Sequence, residues 1–472
     1  MGHAGHLTAT CTALRIGAGT ALQSGYESAV RHGIRHPARL VPLAFAIAIA
    51  AGTLLLMLPI ARAEAGGSAF LTALFTSTSA VCVTGLITVD TPTYWTPFGQ
   101  TVILLLFQVG GFGIMSGATL LGLIAGRRLR LSARLIAHAE RGTLDLSDVL
   151  GVLRLILIVT VSVELLTAGW LTLVFHFGHG ESWGRALWDG LFQAISAFNN
   201  AGFSTYPDSL IGFQADVLVL GPIMIAIIAG ALGFPVIHEL RREPRSPSTW
   251  SLHTKVTLLG TAILLAAGFI ATLVTEWGNP GTLGPMSLPD KLLNAAFHSV
   301  TPRTAGFNSL DVGAFRLETL TINYVLMFIG GGSAGTAGGI KVTTFFLLGL
   351  VVWSEIRGER DAAVFRRRIG THVERQALTI VLLALGLIGV GTLIILSVTT
   401  LPLSHVLFET ISAFATVGLS TGITADLPPT AQTVIIVLMF VGRVGTITVA
   451  TALALRRQRR PYRYPEERPI VG

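Results

Sequence analysis

Gly85, Gly202, Gly306 and Gly418 each close a stretch of the same make-up, running from Phe75, Phe192, Phe297 and Phe408. Each stretch opens on that Phe, carries a hydroxyl residue midway, and ends in Gly followed by Leu or Phe. The third is one residue shorter between Phe and Gly, and the glycines recur about every 110 residues, a period that marks an internal repeat. The chemistry this suits is the binding of a partly dehydrated alkali cation. Such an ion needs oxygen ligands in place of water, and extended backbone with its carbonyls aimed at one axis supplies them. Glycine admits the dihedrals that a side chain would forbid, and the C-terminal ends of four short helices would add partial negative charge. The ligand-bearing residues are expected to be Val83, Thr84 and Gly85, then Asn200, Ala201 and Gly202, then Thr304, Ala305 and Gly306, then Thr416, Val417 and Gly418. One strand cannot surround an ion; four in one chain can, about a pseudo-fourfold axis. Asn199 and Asn200 make the second strand unlike the hydroxyl-rich first and fourth. A lone glycine in a membrane helix more often serves close packing, but four at matching positions argue against that reading.

The elements that must position these strands are apolar. Of 472 residues, 51% are hydrophobic and only 12% charged, about half the usual soluble share. Eight apolar segments reach the roughly 20 residues needed to cross a bilayer: 40–60, 98–126, 150–177, 210–237, 256–275, 320–352, 377–401 and 431–455. Between them lie four pieces too short to span, 69–81, 186–198, 288–300 and 403–414, which read as re-entrant. The predicted fold is therefore an all-α polytopic membrane protein of eight transmembrane helices and four re-entrant pore helices. Its four helix–pore helix–helix repeats cover 40–126, 150–238, 253–352 and 375–456, about one pore. Segments 1–39 and 457–472 flank them. The first span is not read as a signal peptide, because some forty residues precede it and no small-residue cleavage pattern follows.

Most of the 33 Lys and Arg fall before the first span, after the second, fourth and sixth, and in the tail. The positive-inside rule then predicts that both termini are cytoplasmic and that the short segments dip in from outside. The net charge of +8 follows from this bias. Charge spread over several loops without interleaved aromatics argues against nucleic-acid binding.

A second glycine-rich stretch, 329–339, interrupts the sixth span with Gly330, Gly331, Gly332, Ser333, Gly335, Thr336, Gly338 and Gly339. It matches a dinucleotide fingerprint on paper, but no strand-turn-helix unit surrounds it and it sits inside a membrane segment. It reads as a broken helix, with Ser333 and Thr336 able to satisfy freed backbone groups. Arg443, in the eighth span, is an expensive residue to bury and hence a functional candidate. Lys341 has a plainer reading, snorkelling to the inner surface. Glu164, deep in the third span, could pair with Arg443 or Lys341, or bond backbone freed by irregular helices. Arg303 is expected to point off the axis and brace the third strand. Asp90, Asp208, Asp216, Asp311 and Asp426 could enrich cations at the outer mouth. No His-Glu-x-x-His motif occurs, since His238-Glu239 is followed by Leu-Arg-Arg, and the chain is not expected to be an enzyme.

Over about residues 39–472 the chain resembles the potassium uptake subunits of the Trk/Ktr/HKT superfamily, most closely the KtrB type. The resemblance rests on the four glycines, on the segment from Met327 to Lys341, and on the Arg-Tyr-Pro-Glu-Glu run at 463–467. It implies four helix–pore helix–helix units in one chain, and homodimers with a pore in each protomer. It implies that 329–339 is an intramembrane loop closing the pore below the filter, and that Arg443 faces the cavity there. Serine at the first filter position goes with sodium transport in this superfamily, so Gly85 implies potassium as the transported ion. Sodium dependence stays open, and no organic cofactor is expected in this chain. A separate cytosolic ring of KtrA-like subunits binding ATP or ADP is the implied regulator, docking on arginine-rich loops that could equally contact membrane lipid. The implied location is the bacterial plasma membrane. The alternative, an alternating-access secondary cation transporter, predicts inverted repeats, whereas these repeats share one orientation.

Overall fold

A computed structural model describes residues 40–134, 146–359, 363–365 and 367–445. The predicted cytoplasmic segments 1–39 and 457–472, the end of the last apolar run and the 463–467 motif lie outside the described residues. The described chain is built of helices: α1 (Leu40–Leu56), α2 (Phe70–Val81), α3 (Pro97–Arg134), α4 (Leu146–His179), α5 (Trp183–Asn199), α6 (Val217–Leu232), α7 (Phe234–Arg242), α8 (Leu252–Glu276), α9 (Leu288–Val300), α10 (Leu317–Phe328), α11 (Val342–Ile356), α12 (Thr371–Val398), α13 (Leu403–Ala415) and α14 (Pro429–Phe440). A π-helical turn, Val441–Gly445, follows α14, and a small hairpin pairs Ala363–Val364 with Arg367–Arg368.

The four short pieces form the four short helices α2, α5, α9 and α13. Local chemistry starts two of them: the hydroxyls of Ser182 and Ser287 accept from the backbone N–H of Arg185 and Asp290, satisfying donors that open a helix. Each short helix packs on the long helix before it, α2 on α1, α5 on α4, α9 on α8 and α13 on α12. The helix that follows each one then packs on the next short helix: α3 on α5, α6 on α9, α10 on α13, and α14 back on α2. The succession closes on itself. The opening residues Phe75, Phe192, Phe297 and Phe408 are all fully buried at these joints.

The long apolar runs are less regular than their composition suggests. Among the described residues, four helices are long and apolar enough to cross a membrane: Pro97–Gly117, Leu153–His179, Leu252–Glu276 and Thr371–Val398. The run 210–237 is not one straight span. It begins with a 3-10 turn, Ile211–Phe213, and its helices α6 and α7 are bent by 97°. The bend falls at Gly233, whose φ of 89° is open to glycine and whose added Cβ would strike the carbonyl of Ser333. The run 320–352 is two helices separated by non-helical backbone, with a parallel bridge from Ile329 to Ile340 holding the ends of the break together.

Candidate functional site: a ring of four glycines

Past the end of each short helix the backbone enters the left-handed region twice, two residues apart. The pairs are Val83 and Gly85, Asn200 and Gly202, Thr304 and Gly306, Thr416 and Gly418. A left-handed conformation is costly for a β-branched residue, and three of these four non-glycine positions are Val or Thr. Side-chain straps hold them there. The hydroxyl of Ser196 donates to the carbonyl of Phe203 at 2.7 Å, and that of Ser412 to Leu419 at 2.6 Å. Thr301 bonds Phe307 in the same manner, and Ser79 accepts from Gly85 N–H at 3.1 Å. The backbone N–H of Thr84, Ala201, Ala305 and Val417 turns back to the carbonyl of these same hydroxyl residues, at 2.8–3.0 Å. The midway hydroxyl of the repeat is thus the strap, and the missing residue of the third repeat falls between strap and glycine.

The carbonyl of the residue before each glycine lies close to a glycine of the neighbouring strand. A Cβ on Gly85 would come 2.5 Å from the carbonyl oxygen of Ala201; on Gly202, 2.9 Å from that of Ala305; on Gly306, 2.7 Å from that of Val417. A Cβ on Gly418 would strike the carbonyl of Thr84, which closes the ring. Among the described residues, no donor bonds these four carbonyls. Eight of the expected twelve residues, the four glycines and the residue before each, are therefore brought together in the order 85, 202, 306, 418, and Val83, Asn200, Thr304 and Thr416 adjoin them in the chain.

On the side of the ring reached by the residues past the glycines lies a cavity of about 320 Å³, lined by all four glycines and by Asp90, Asp208 and Asp311. Two of the five expected acidic residues do not face it. Asp216 pairs with His179 at 2.8 Å and caps α6 through Leu218 N–H, and Asp426 lines a separate surface hollow.

Against the other side lies the glycine-rich loop. Asn200 Nδ2 donates to Thr336 Oγ1 at 2.9 Å, and Gly338 N–H to Thr304 Oγ1 at 3.3 Å. A Cβ on Gly338 would strike Thr416 Oγ1. Three of the four ring strands thus touch the loop. It is also stitched to the end of α6: Gly332 N–H donates to Ala231 and Thr336 N–H to Gly230, at 2.8 and 3.1 Å. Gly331 accepts from Val342 N–H, Gly330 N–H donates to Ile340, and Ser333 Oγ lies 3.3 Å from Thr343 Oγ1. Gly335 packs on Ala231, and Gly339 turns in the left-handed region at φ 62°.

Four polar residues read from the sequence now have partners. Arg443 donates to the carbonyl of Thr336, holding the loop. Lys341 does not snorkel: its Nζ folds back to the carbonyl of Ala337 at 2.6 Å. Arg303 braces the loop and α8 through the carbonyls of Gly330 and Thr261, at 3.2 and 3.3 Å. Glu164 pairs with neither basic residue and bonds no freed backbone. It accepts from Gln108 Nε2 at 3.2 Å and Asn199 Nδ2 at 3.1 Å. Nothing in the sequence ties Gln108 to the other two, because the three sit on separate helices.

A closed succession of short helices inside a body of long apolar helices marks a membrane protein. The family model described as TrkH, cation transport protein, matches residues 18–460, and the chain belongs to that family. It is 39% identical over 436 residues to the Ktr system potassium uptake protein B of Bacillus subtilis, covering 92% of this chain and 97% of that one. It is 37% identical over 444 residues to the potassium/sodium uptake protein NtpJ of Enterococcus hirae, covering 92% and 97%. The crystal structure of the potassium transporter TrkH from Vibrio parahaemolyticus shares the fold, with a TM-score of 0.62 at 19% identity over 87% of this chain and 83% of that one.

Proposed function

We propose that the chain takes potassium ions up across the bacterial plasma membrane, through a channel-like pore whose selectivity filter is the glycine ring. The observation that carries this reading is the cyclic approach of Gly85, Gly202, Gly306 and Gly418, each beside a neighbouring carbonyl that no donor bonds among the described residues. Carbonyls free of donors can replace an ion's hydration shell. The order of packing from α3 to α5, α6 to α9, α10 to α13 and α14 to α2 supports four repeats about one axis, over 40–126, 150–238, 253–352 and 375–456. The names of the relatives support potassium, and that of NtpJ makes sodium the ion to test beside it.

The loop at 329–339 is the gate. It covers the inner ends of the ring strands, and Arg443 pins it. Both termini face the cytoplasm. The protomer works as a homodimer, and a separate cytosolic ring of nucleotide-binding subunits regulates it; the Ktr system naming of a relative supports a partner subunit.

The test is ion flux in liposomes containing the purified chain, comparing potassium, rubidium, sodium and lithium. Potassium and rubidium are expected to pass, and sodium and lithium to be excluded. Equal passage of all four, or none of any, would remove the filter assignment.

A further inference from the structure

The position after the opening Phe of each short helix differs from repeat to repeat: Thr76, Gln193, His298 and Glu409, each 2% exposed or less. On α5 and α13 this residue reaches the strand beyond the ring. Gln193 Nε2 donates to Ser204 Oγ at 2.7 Å. Glu409 accepts from Ser420 Oγ, from Thr421 N–H at 3.2 Å and from Thr424 Oγ1 at 3.1 Å. Ser204 and Ser420 stand at the same place, two residues past Gly202 and Gly418. On α2 and α9 no such link forms. The hydroxyl of Thr76 has no partner among the described residues, and His298 turns to Asn323 on α10, at 3.1 Å. Glycines follow one another around the ring in chain order, so the second and fourth strands face each other across it. The braced strands are that facing pair.

Glu409 is a fully buried carboxylate with no cationic partner among the described residues. Three donors from one five-residue stretch, Ser420 to Thr424, converge on this carboxyl and so on one helix. A ring meant to exclude the smaller sodium ion must resist closing around it. Strands with this second tie to a buried helix resist more than the pair held by the hydroxyl strap alone.

We propose that Gln193 and Glu409 are positioning residues that fix the width of the ring along one diameter and so set its discrimination of potassium from sodium. This rests on the pore reading above. The ring is then two-fold in stiffness although four-fold in backbone. Sequence comparison of the repeats hides this, because Thr, Gln, His and Glu differ in length, charge and donor capacity.

The test is the sodium-to-potassium permeability ratio of the full-length chain in liposomes. Glu409→Leu should raise that ratio by about tenfold, which is about 1.4 kcal/mol between the two ions. Ser420→Ala should raise it less, and the double variant no further than Glu409→Leu alone, since both remove one link. Gln193→Leu should act in the same direction from the opposite strand. Glu409→Gln keeps an acceptor for Thr421 N–H and should stay near wild type. Thr76→Val, at a hydroxyl without a partner among the described residues, should leave the ratio unchanged. Should Glu409→Leu fail to fold by size-exclusion profile, Ser420→Ala and Thr424→Val cut the same link from the strand side and decide the matter. If the wild-type chain is selective and these variants match it, the brace is overturned while the pore stands. If the wild-type chain passes no potassium, the pore reading itself falls and the brace falls with it.

Discussion

Arg443 donates a hydrogen bond to the main-chain carbonyl of Thr336, 107 residues earlier in the chain. The same threonine accepts from Asn200 through its hydroxyl and donates that hydroxyl to the carbonyl of Phe198. One residue of the glycine-rich loop therefore joins a buried guanidinium to a strand of the ring. The bond is lopsided. Arg443 is 2% exposed, and its Nε and Nη2 have no partner among the described residues. A charge buried with so little compensation costs free energy.

Replacing Arg443 by Gln should therefore raise basal potassium flux. A hydrogen bond from a charged group contributes about 1.5–3 kcal/mol, enough for roughly a tenfold or greater change in the closed-to-open ratio. Flux from liposomes, compared with wild type at equal protein, reads this directly. Wild-type flux and regulation in the variant would make the arginine a packing element only.

Deleting residues 332–336 removes Thr336 and its links to Phe198, Asn200, Gly230 and Arg443 at one stroke. Potassium flux should rise, by more than in the Arg443 variant, while the preference for potassium over sodium persists, because no residue of the ring strands is removed. No increase would take the gate role away from the loop.

Gly85→Ser and Gly418→Ser test the ring. Both glycines have φ near +90°, at 92° and 93°, where an L side chain is strained. Each added Cβ would also press on a ring carbonyl, of Ala201 and of Thr84 respectively. Discrimination against sodium should fall, and a bacterium lacking its own potassium uptake should need more external potassium for rescue. The Gly418 variant should be the more severe, because its Cβ is the more crowded. Unchanged uptake kinetics and sodium exclusion would count against the ring as filter.

The short helices and ring glycines were legible in the sequence because they rest on local signals: a fixed spacing from Phe to Gly, a hydroxyl between them, and helix lengths below a bilayer's thickness. The predicted 288–300 is α9 to the residue. The long runs misled because hydropathy is blind to backbone direction. The stretch 210–237 is apolar throughout, yet Gly233 turns it by 97°. Side-chain partnerships were least legible. Lys341 looked free to reach the surface, but a carbonyl four residues back was nearer. Gln193 and Glu409 gave no signal, since their partners are set by how the strand returns past the helix.

Glu164 gives the last prediction. Its carboxylate is 6% exposed and accepts from Gln108 and Asn199, while Asn199 Nδ2 also donates to Gln108 Oε1 at 2.6 Å and to Ile195 at 2.9 Å. Asn199 precedes Asn200 of the ring, so this cluster anchors the second strand to α3 and α4. Glu164→Leu strips an acceptor from two buried amides, each at a cost of about 1–3 kcal/mol. The thermal unfolding midpoint of the detergent-solubilised chain should drop by several degrees. Glu164→Gln restores one acceptor and should recover most of that loss. If leucine is tolerated without change in midpoint, the carboxylate is not what holds α3, α4 and α5 together. If leucine lowers the midpoint and glutamine does not restore it, the full carboxylate is required, and the cluster depends on both oxygens accepting at once.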